Sequence, residues 1–244
     1  MPENKPTLAI MIRSAILWST MGLLAVPYTV IAIAIIILPI RIRHRVIRSW
    51  ADIYVFIAKH LCGVNYTVMG LENFVAGPAL IASNHQSMWE TAGFAHIFPQ
   101  HVWILKRELL HVPFFGWAIS TLAPIAINRS KGSIAIQQIL KQSTDRIKRK
   151  LWILVFPEGT RVKPGTRKPF KTGISKMSLA LNLPVVPVAH NAGYILPRAG
   201  FWIYPGIVNI IVDKPIYPLP DETPEDLTLR IENVIANNLA KIIR

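Results

Sequence analysis

The chain has 244 residues, 52% of them hydrophobic, with 27 Lys and Arg against 13 Asp and Glu, a formal charge of +14. That length supports one large α/β domain, or a smaller domain with an appendage. A single cysteine, Cys62, excludes an internal disulfide and a cysteine-based zinc site, and the positive balance asks for a polyanionic partner: nucleic acid, an anionic bilayer or phosphorylated substrates.

The apolar excess sits at the N-terminus. From Ser14 to Ile40 no side chain is charged, and a helix of that length would reach roughly 40 Å, more than the ~30 Å of hydrocarbon in a bilayer. The run is too long for the core of a cleaved signal peptide and has no small, polar cleavage region. Pro27 falls mid-run and would kink or split a helix. The expectation is therefore a kinked membrane helix, or a helical hairpin dipping into one leaflet. Directly behind it come Arg41, Arg43, Arg45 and Arg48. By the positive-inside rule they set the following domain on the cytoplasmic face, beside anionic membrane lipids. Residues 1–48 are thus read as a membrane-embedded segment with a basic flank, and 49–244 as an α/β domain.

A helix-like stretch from Trp50 to Cys62 ends in a small-residue turn at Gly63. Short apolar runs then alternate with polar or helical ones. Ala79–Ala82, Val102–Leu105, Pro124–Ile127, Leu151–Phe156, Val185–Ala189 and Ile207–Val212 read as strands, several apolar throughout, as strands buried on both faces would be. Between the third and fourth, Ser130–Lys150 spaces Ile136, Ile139, Leu140 and Ile147 as a helical stripe and ends in a basic cluster. At the tail, Thr223-Pro224-Glu225-Asp226 combines a cap, a proline at the first helical position and acids in the first turn, before a helix to Ile243. This alternation predicts an α/β layer fold, a mixed and largely parallel sheet flanked by helices.

Ser83-Asn84-His85 closes one predicted strand, and Met88-Trp89-Glu90 opens a new apolar pattern. His85 should therefore stand in a strand-to-helix turn, where sites gather in α/β sheets. Ser87-x-x-Glu90 also fits a capping box, with Glu90 reaching back to the backbone of Ser87. The other reading makes His85 and Glu90 a proton-transfer dyad. Residues five apart on one continuous helix sit about 140° apart in rotation, so the pair can touch only with His85 outside the helix and Glu90 in its first turns. Both readings want the same backbone. In the second, Glu90 fixes the imidazole tautomer and leaves the other nitrogen to take a proton from a substrate hydroxyl.

Two further strand ends deliver polar residues. Lys106-Arg107-Glu108-Leu109 follows one strand, and Phe156-Pro157-Glu158-Gly159-Thr160-Arg161 follows the strongest, where parallel strands would set Arg161 on the same sheet edge as His85. Cations beside a general base suit a phosphorylated acceptor. Neither a G-x-S-x-G elbow nor a Gly-rich phosphate loop is present, and the aromatics do not interleave with basic residues as a nucleic-acid platform would, so no nucleic-acid partner is expected.

Asn84-His85-x4-Glu90, Lys106-Arg107-Glu108-Leu109 with Pro113-Phe114-Phe115-Gly116-Trp117, Phe156-Pro157-Glu158-Gly159-Thr160-Arg161 and Val185-Val186-Pro187-Val188-Ala189 stand in the order of four blocks. In this the chain resembles the glycerolipid acyltransferase family, most of all its bacterial members acting on 1-acyl-glycerol-3-phosphate. The resemblance implies transfer of a fatty acyl group from a thioester, acyl-CoA or acyl carrier protein, to the sn-2 hydroxyl of lysophosphatidic acid at the bacterial inner membrane. It implies His85 as general base with Glu90 as its orienting partner. Lys106, Arg107 and Arg161 would bind phosphate, and Asn84, Phe156, Pro157, Glu158, Gly159 and Thr160 would shape the substrate site. The thioester is already activated, so no metal or cofactor is expected, and attack is direct. The commonest family pattern carries aspartate where Glu90 stands, and glutamate also occurs in some lipid A acyltransferases with a related motif. Another lysophospholipid or a lyso-aminolipid as acceptor, or a lipid hydrolase, are the alternatives.

Overall fold

The computed structural model describes residues 5–128, 132–198 and 200–242. The first expectation concerns the apolar run. Helix α1 spans Leu8–Ala34 without a break, with Pro27 inside it. The chain turns instead at residues 35–39, and α2 starts at Ile40 behind Pro39. By length and composition α1 could cross a membrane. Three of its hydroxyls bond back to the helix: those of Ser14, Thr20 and Thr29 donate to the carbonyls of Ile10, Ile16 and Ala25.

One stripe of α1, Ser14, Leu17, Met21, Thr29 and Ala32, is buried against the rest of the protein. Trp18 Nε1 donates to the Phe201 carbonyl at 2.8 Å, Ser14 Oγ accepts from Ile203 N at 2.9 Å, and Thr29 Oγ1 donates to the Phe114 carbonyl at 3.0 Å. The opposite stripe, including Leu8, Ile12, Leu23 and Val30, is exposed. The run was apolar on all sides because one face meets protein and the other is left open.

Helix α2 runs from Ile40 to Cys62, so residues 48 and 49 lie within one continuous helix. It ends at Gly63, whose φ of 71° supplies the left-handed cap. Two of its four leading arginines are tied to the protein: Arg43 donates to the Thr121 carbonyl, and Arg48 to the His96 carbonyl. Arg41 and Arg45 are exposed and carry no such tie among the described residues.

The remaining elements are β1 (Val64–Met69), β2 (Leu80–Ser83), α3 (Trp89–Ile97), β3 (His101–Lys106), α4 (Phe115–Ser120), β4 (Ile125–Ile127), α5 (Gly132–Lys148), β5 (Trp152–Val155), α6 (Gly173–Leu181), β6 (Val185–His190), β7 (Gly206–Val212) and α7 (Pro224–Ile242). The seven strands form one sheet in the order β1-β7-β6-β2-β5-β3-β4. All neighbours are parallel except β6 and β7, so the sheet is mixed and mostly parallel, as expected. The sequence reading passed over β1, an edge strand whose V-N-Y-T-V-M pattern is half polar. Ser130 and Ile243, expected helix ends, lie outside the described residues. At the tail Thr223 Oγ1 accepts from Asp226 N at 3.1 Å, the anticipated cap.

Two cores flank the sheet. Ile81, Leu154 and Val186 face Leu17, Tyr54, Trp89 and Phe94 on the side of α1, α2 and α3. Leu80, Ile153 and Val185 face Ile174, Met177, Leu227 and Ile231 on the side of α6 and α7. Consecutive residues of β2, β5 and β6 thus bury opposite faces, which makes these strands continuously apolar. Strand β2 lies at the centre, and β6, β2, β5, β3 and β4 all end along one edge, while β1 and β7 run the other way.

The two stripes of α1 should respond differently to truncation. Leu17 is fully buried, so Leu17→Ala is expected to cost about 2–5 kcal/mol. Leu23 is 75% exposed, and Leu23→Ala should shift stability by no more than about 0.5 kcal/mol. Thermal unfolding in detergent measures both, and equal losses would contradict the docked arrangement.

Candidate active site

Strand β2 ends in the centre of the sheet and hands the chain to an irregular turn, residues 84–88, before α3 begins. His85 therefore stands outside the helix while Glu90 sits in its first turn. Their side chains meet, with His85 Nδ1 2.7 Å from Glu90 Oε1. The same oxygen accepts from the backbone of Gln86 at 2.9 Å and of Ser87 at 2.8 Å. Ser87 Oγ in turn accepts from Trp89 N at 3.0 Å. Glu90 is thus both capping acid and histidine partner, and the two readings of the sequence describe one set of bonds.

The carboxylate can only accept, so Nδ1 carries the shared proton and Nε2 is left with its lone pair. Among the described residues Nε2 has no hydrogen-bond partner, and the side chain is 17% exposed, while Glu90 is fully buried. Burial by itself would favour the protonated acid. The neighbouring imidazoles of His190 and His85, with the N–H of Ser87, outweigh it and hold the Glu90 carboxyl below the usual range.

Neighbouring strands fix the ring. Phe156, at the end of β5, stacks on His85 with centroids 4.0 Å apart and planes 12° from parallel. Glu158 Oε2 accepts from His85 N at 2.6 Å, and Val162 N donates to the His85 carbonyl at 2.7 Å. The loop after β5 thus clamps both backbone groups of the catalytic turn. Glu158 is itself buried, and that burial pushes its carboxyl up to about 8. Gly159, at φ 71°, turns this loop where an L side chain would be strained.

His190, one residue beyond the strand predicted at Val185–Ala189, completes the support. Its Nε2 donates to the Asn84 carbonyl at 2.7 Å and its Nδ1 accepts from Ala192 N at 3.2 Å, so the ring is satisfied as the neutral form, which burial also favours. Nothing in the spacing marks His190 for this role, because the contact spans β2 and β6.

The expected site residues separate into three groups. His85, Glu90, Phe156, Glu158 and Gly159 converge. Asn84, expected at the substrate, is instead 1% exposed, with Nδ2 donating to the His190 carbonyl and Oδ1 accepting from His190 N; it is a strut between β2 and β6. The Pro157 carbonyl accepts from Lys171 N at 3.0 Å, which closes the loop. Thr160 and Arg161 are half-buried on that loop. Lys106 and Arg107 leave β3, two strands from β2 and so roughly 10 Å away. Arg107 lines a separate polar cavity of about 270 Å³ with Asn128, Gln138 and Gln142.

A larger cavity of about 390 Å³ lies beside α3, enclosed by α1, α2 and α4 and walled by Met21, Trp50, Tyr54, Trp103 and Phe115. Met88 and Arg161 line its end at the catalytic edge. Among the described residues no cluster of three His, Cys, Asp or Glu could hold a metal ion.

The molecule is thus an α/β sheet with a carboxylate-oriented histidine at a strand end, on a turn whose Met88 lines an apolar cavity. A family model described as Acyltransferase matches residues 65–191. The chain is 38% identical to 1-acyl-sn-glycerol-3-phosphate acyltransferase of Pseudomonas aeruginosa over 94% of its own length and 87% of the relative's. It is 31% identical to the protein of that name from Saccharomyces cerevisiae, over 68% of this chain and 56% of the other. The crystal structure of the 1-acyl-sn-glycerophosphate (LPA) acyltransferase, PlsC, from Thermotoga maritima superposes with a TM-score of 0.77 at 20% identity, covering 96% of this chain and 97% of that one. The chain belongs to the acyltransferase family, and it is an acyltransferase.

Glu158 gives the site a pH signature. Unfolded, its carboxyl titrates near 4.5, but folded it holds its proton to about 8. Its contribution to stability is therefore full below pH 4.5 and lost as pH rises through about 8. Glu158→Gln keeps an acceptor for His85 N but cannot ionise. Melting temperatures followed from about pH 5 to pH 9 should fall less in this variant than in the wild type, and identical slopes would contradict the burial of a protonated Glu158.

Proposed function

We propose that this enzyme moves a fatty acyl group from an acyl thioester to the sn-2 hydroxyl of 1-acyl-glycerol-3-phosphate, giving phosphatidic acid. The observation that carries the proposal is the free Nε2 of His85, set by the 2.7 Å contact with Glu90 on a turn whose Met88 lines an apolar cavity. Nε2 takes the proton as the alcohol oxygen attacks the thioester carbonyl. The new C–O bond forms, the C–S bond breaks, and the imidazolium returns its proton to the departing sulfur. Glu90 balances the cation while it exists, a step worth typically 10²–10⁴ in rate. The named activity of the bacterial relative, matched along 94% of this chain, supports this acceptor.

The apolar cavity suits an acyl chain, and Arg161 at its catalytic end suits the acceptor phosphate, which guanidinium can bind with two hydrogen bonds. Helix α1 supports action at a bilayer surface. Its inner stripe packs on the domain from Ser14 to Ala32, so in this arrangement it lies along the domain with its open stripe in one leaflet. Exposed Leu109, Val112, Phe114 and Trp117 around α4 extend that surface, as does Phe201 beside the N-terminal half of α1. In a bacterial cell we place this surface on the inner membrane, with the catalytic domain in the cytoplasm. The co-substrates are lysophosphatidic acid and an acyl-CoA or acyl carrier protein thioester. No resident cofactor takes part in these steps.

Glu90→Gln separates orientation from folding. Its carbonyl can accept the same three hydrogen bonds, but its amide would occupy the place of Oε2, a buried atom without a partner in this structure. Acyl transfer to 1-acyl-glycerol-3-phosphate is expected to fall by about 10²–10⁴, with a melting temperature lowered by only a few degrees. Wild-type turnover in this variant would reduce Glu90 to a helix cap.

A further inference from the structure

The segment between β5 and α6 carries more positive charge than the proposed chemistry uses. Arg161, Lys163, Arg167, Lys168, Lys171 and Lys176 fall within sixteen positions, 161–176, that contain no acidic residue. Lys163, Arg167, Lys168, Lys171 and Lys176 are exposed. None of the six takes part in any ion pair among the described residues. Glu158 accepts from His85 N and Glu232 from Phe170 N at 3.0 Å, and of the six only Lys168 acts on Glu158, through space.

The loop is also held in register with the catalytic turn. Val162 N donates to the His85 carbonyl at 2.7 Å, Lys171 N to the Pro157 carbonyl at 3.0 Å, and Thr166 N to the Lys163 carbonyl at 3.1 Å. Anything bound to its outer surface is thereby set at a fixed distance from Nε2.

We infer that residues 163–171 form the docking surface for a small acidic carrier protein that presents the acyl thioester to His85. The inference rests on the proposed thioester chemistry and names its donor. Two observations favour a protein over the alternatives. Neither cavity is lined by Lys163, Arg167, Lys168 or Lys171, whereas the clustered phosphates of a coenzyme would call for converging donors. Among the described residues no exposed large apolar side chain lies between Trp117 and Phe201, so the loop lacks the greasy contacts of the α1 surface. It leads into α6 and ties to α7, on the face of the sheet opposite α1. Dispersed surface cations facing an acidic helix mainly raise the association rate, and salt weakens that effect.

The test compares wild type with Lys163→Glu/Arg167→Glu and with Lys163→Ala/Arg167→Ala, in the full chain. Donors are a bacterial acyl carrier protein bearing a hexadecanoyl thioester and hexadecanoyl-CoA, and binding of the unacylated carrier is measured separately. Charge reversal should lower kcat/KM for the carrier donor tenfold or more, with kcat nearly kept and the salt dependence flattened. The alanine pair should fall in between, and kcat/KM with hexadecanoyl-CoA should stay within twofold. Carrier binding should weaken in parallel, a readout that holds even if the acceptor or reaction has been misassigned. Equal losses on both donors would overturn the inference. So would unchanged carrier kinetics, with or without weaker binding to phosphatidylglycerol vesicles, and weaker vesicle binding there would make the loop a headgroup contact.

Discussion

One oxygen of Glu90 accepts hydrogen bonds from the His85 ring and from two backbone N–H groups of the turn that carries it. Catalytic orientation and local folding therefore share a single acceptor. A buried carboxylate is costly unless it is bonded and balanced, and here the bonding partners are the turn itself. The turn can adopt this shape because the carboxylate is there, and the carboxylate is tolerable because the turn surrounds it. Removing the side chain would lose both at once, which makes the isosteric glutamine the informative change.

The second constraint comes from the sheet. Parallel β2, β5 and β6 end side by side, so three loops remote in sequence meet around His85. Each contributes a different restraint: Phe156 sets the ring plane, Glu158 and Val162 hold the backbone, and Asn84 with His190 locks β2 to β6. The two cores then assign the faces. The α1 side holds the apolar cavity and the exposed greasy stripe, and the α6 side carries the cationic loop. An apolar and a cationic surface thus lie on opposite faces of the sheet that carries His85.

Much of this was legible in the residues. Continuous apolar runs marked the two-sided strands, and the blocks at their ends pointed to the sheet edge where His85, Phe156 and Glu158 meet. The strand-to-helix turn allowed the histidine and its acid to meet but did not separate a dyad from a helix cap, and the structure holds both. What stayed hidden depends on contacts between distant segments. His190 reads as the last residue of an apolar strand, and its role exists only because β6 lies beside β2. Asn84 stands next to the catalytic residue, yet its side chain points across the sheet. Arg43 and Arg48 look like headgroup ligands until the carbonyls at Thr121 and His96 claim them. Pro27 suggested a break, but an apolar helix packed along its length keeps going through one missing N–H. Strand β1, polar at alternate positions, was invisible without its partner β7.

The central claim concerns a proton, so the most direct measurement is of that proton. Nitrogen NMR of the His85 side chain, assigned by comparison with His85→Ala and followed across a pH series, reports which nitrogen is protonated. The account predicts Nδ1 protonated and Nε2 bare in the wild type, with the preference weakened in Glu90→Gln. A wild-type ring protonated at Nε2, or a tautomer indifferent to the Glu90 change, would contradict it.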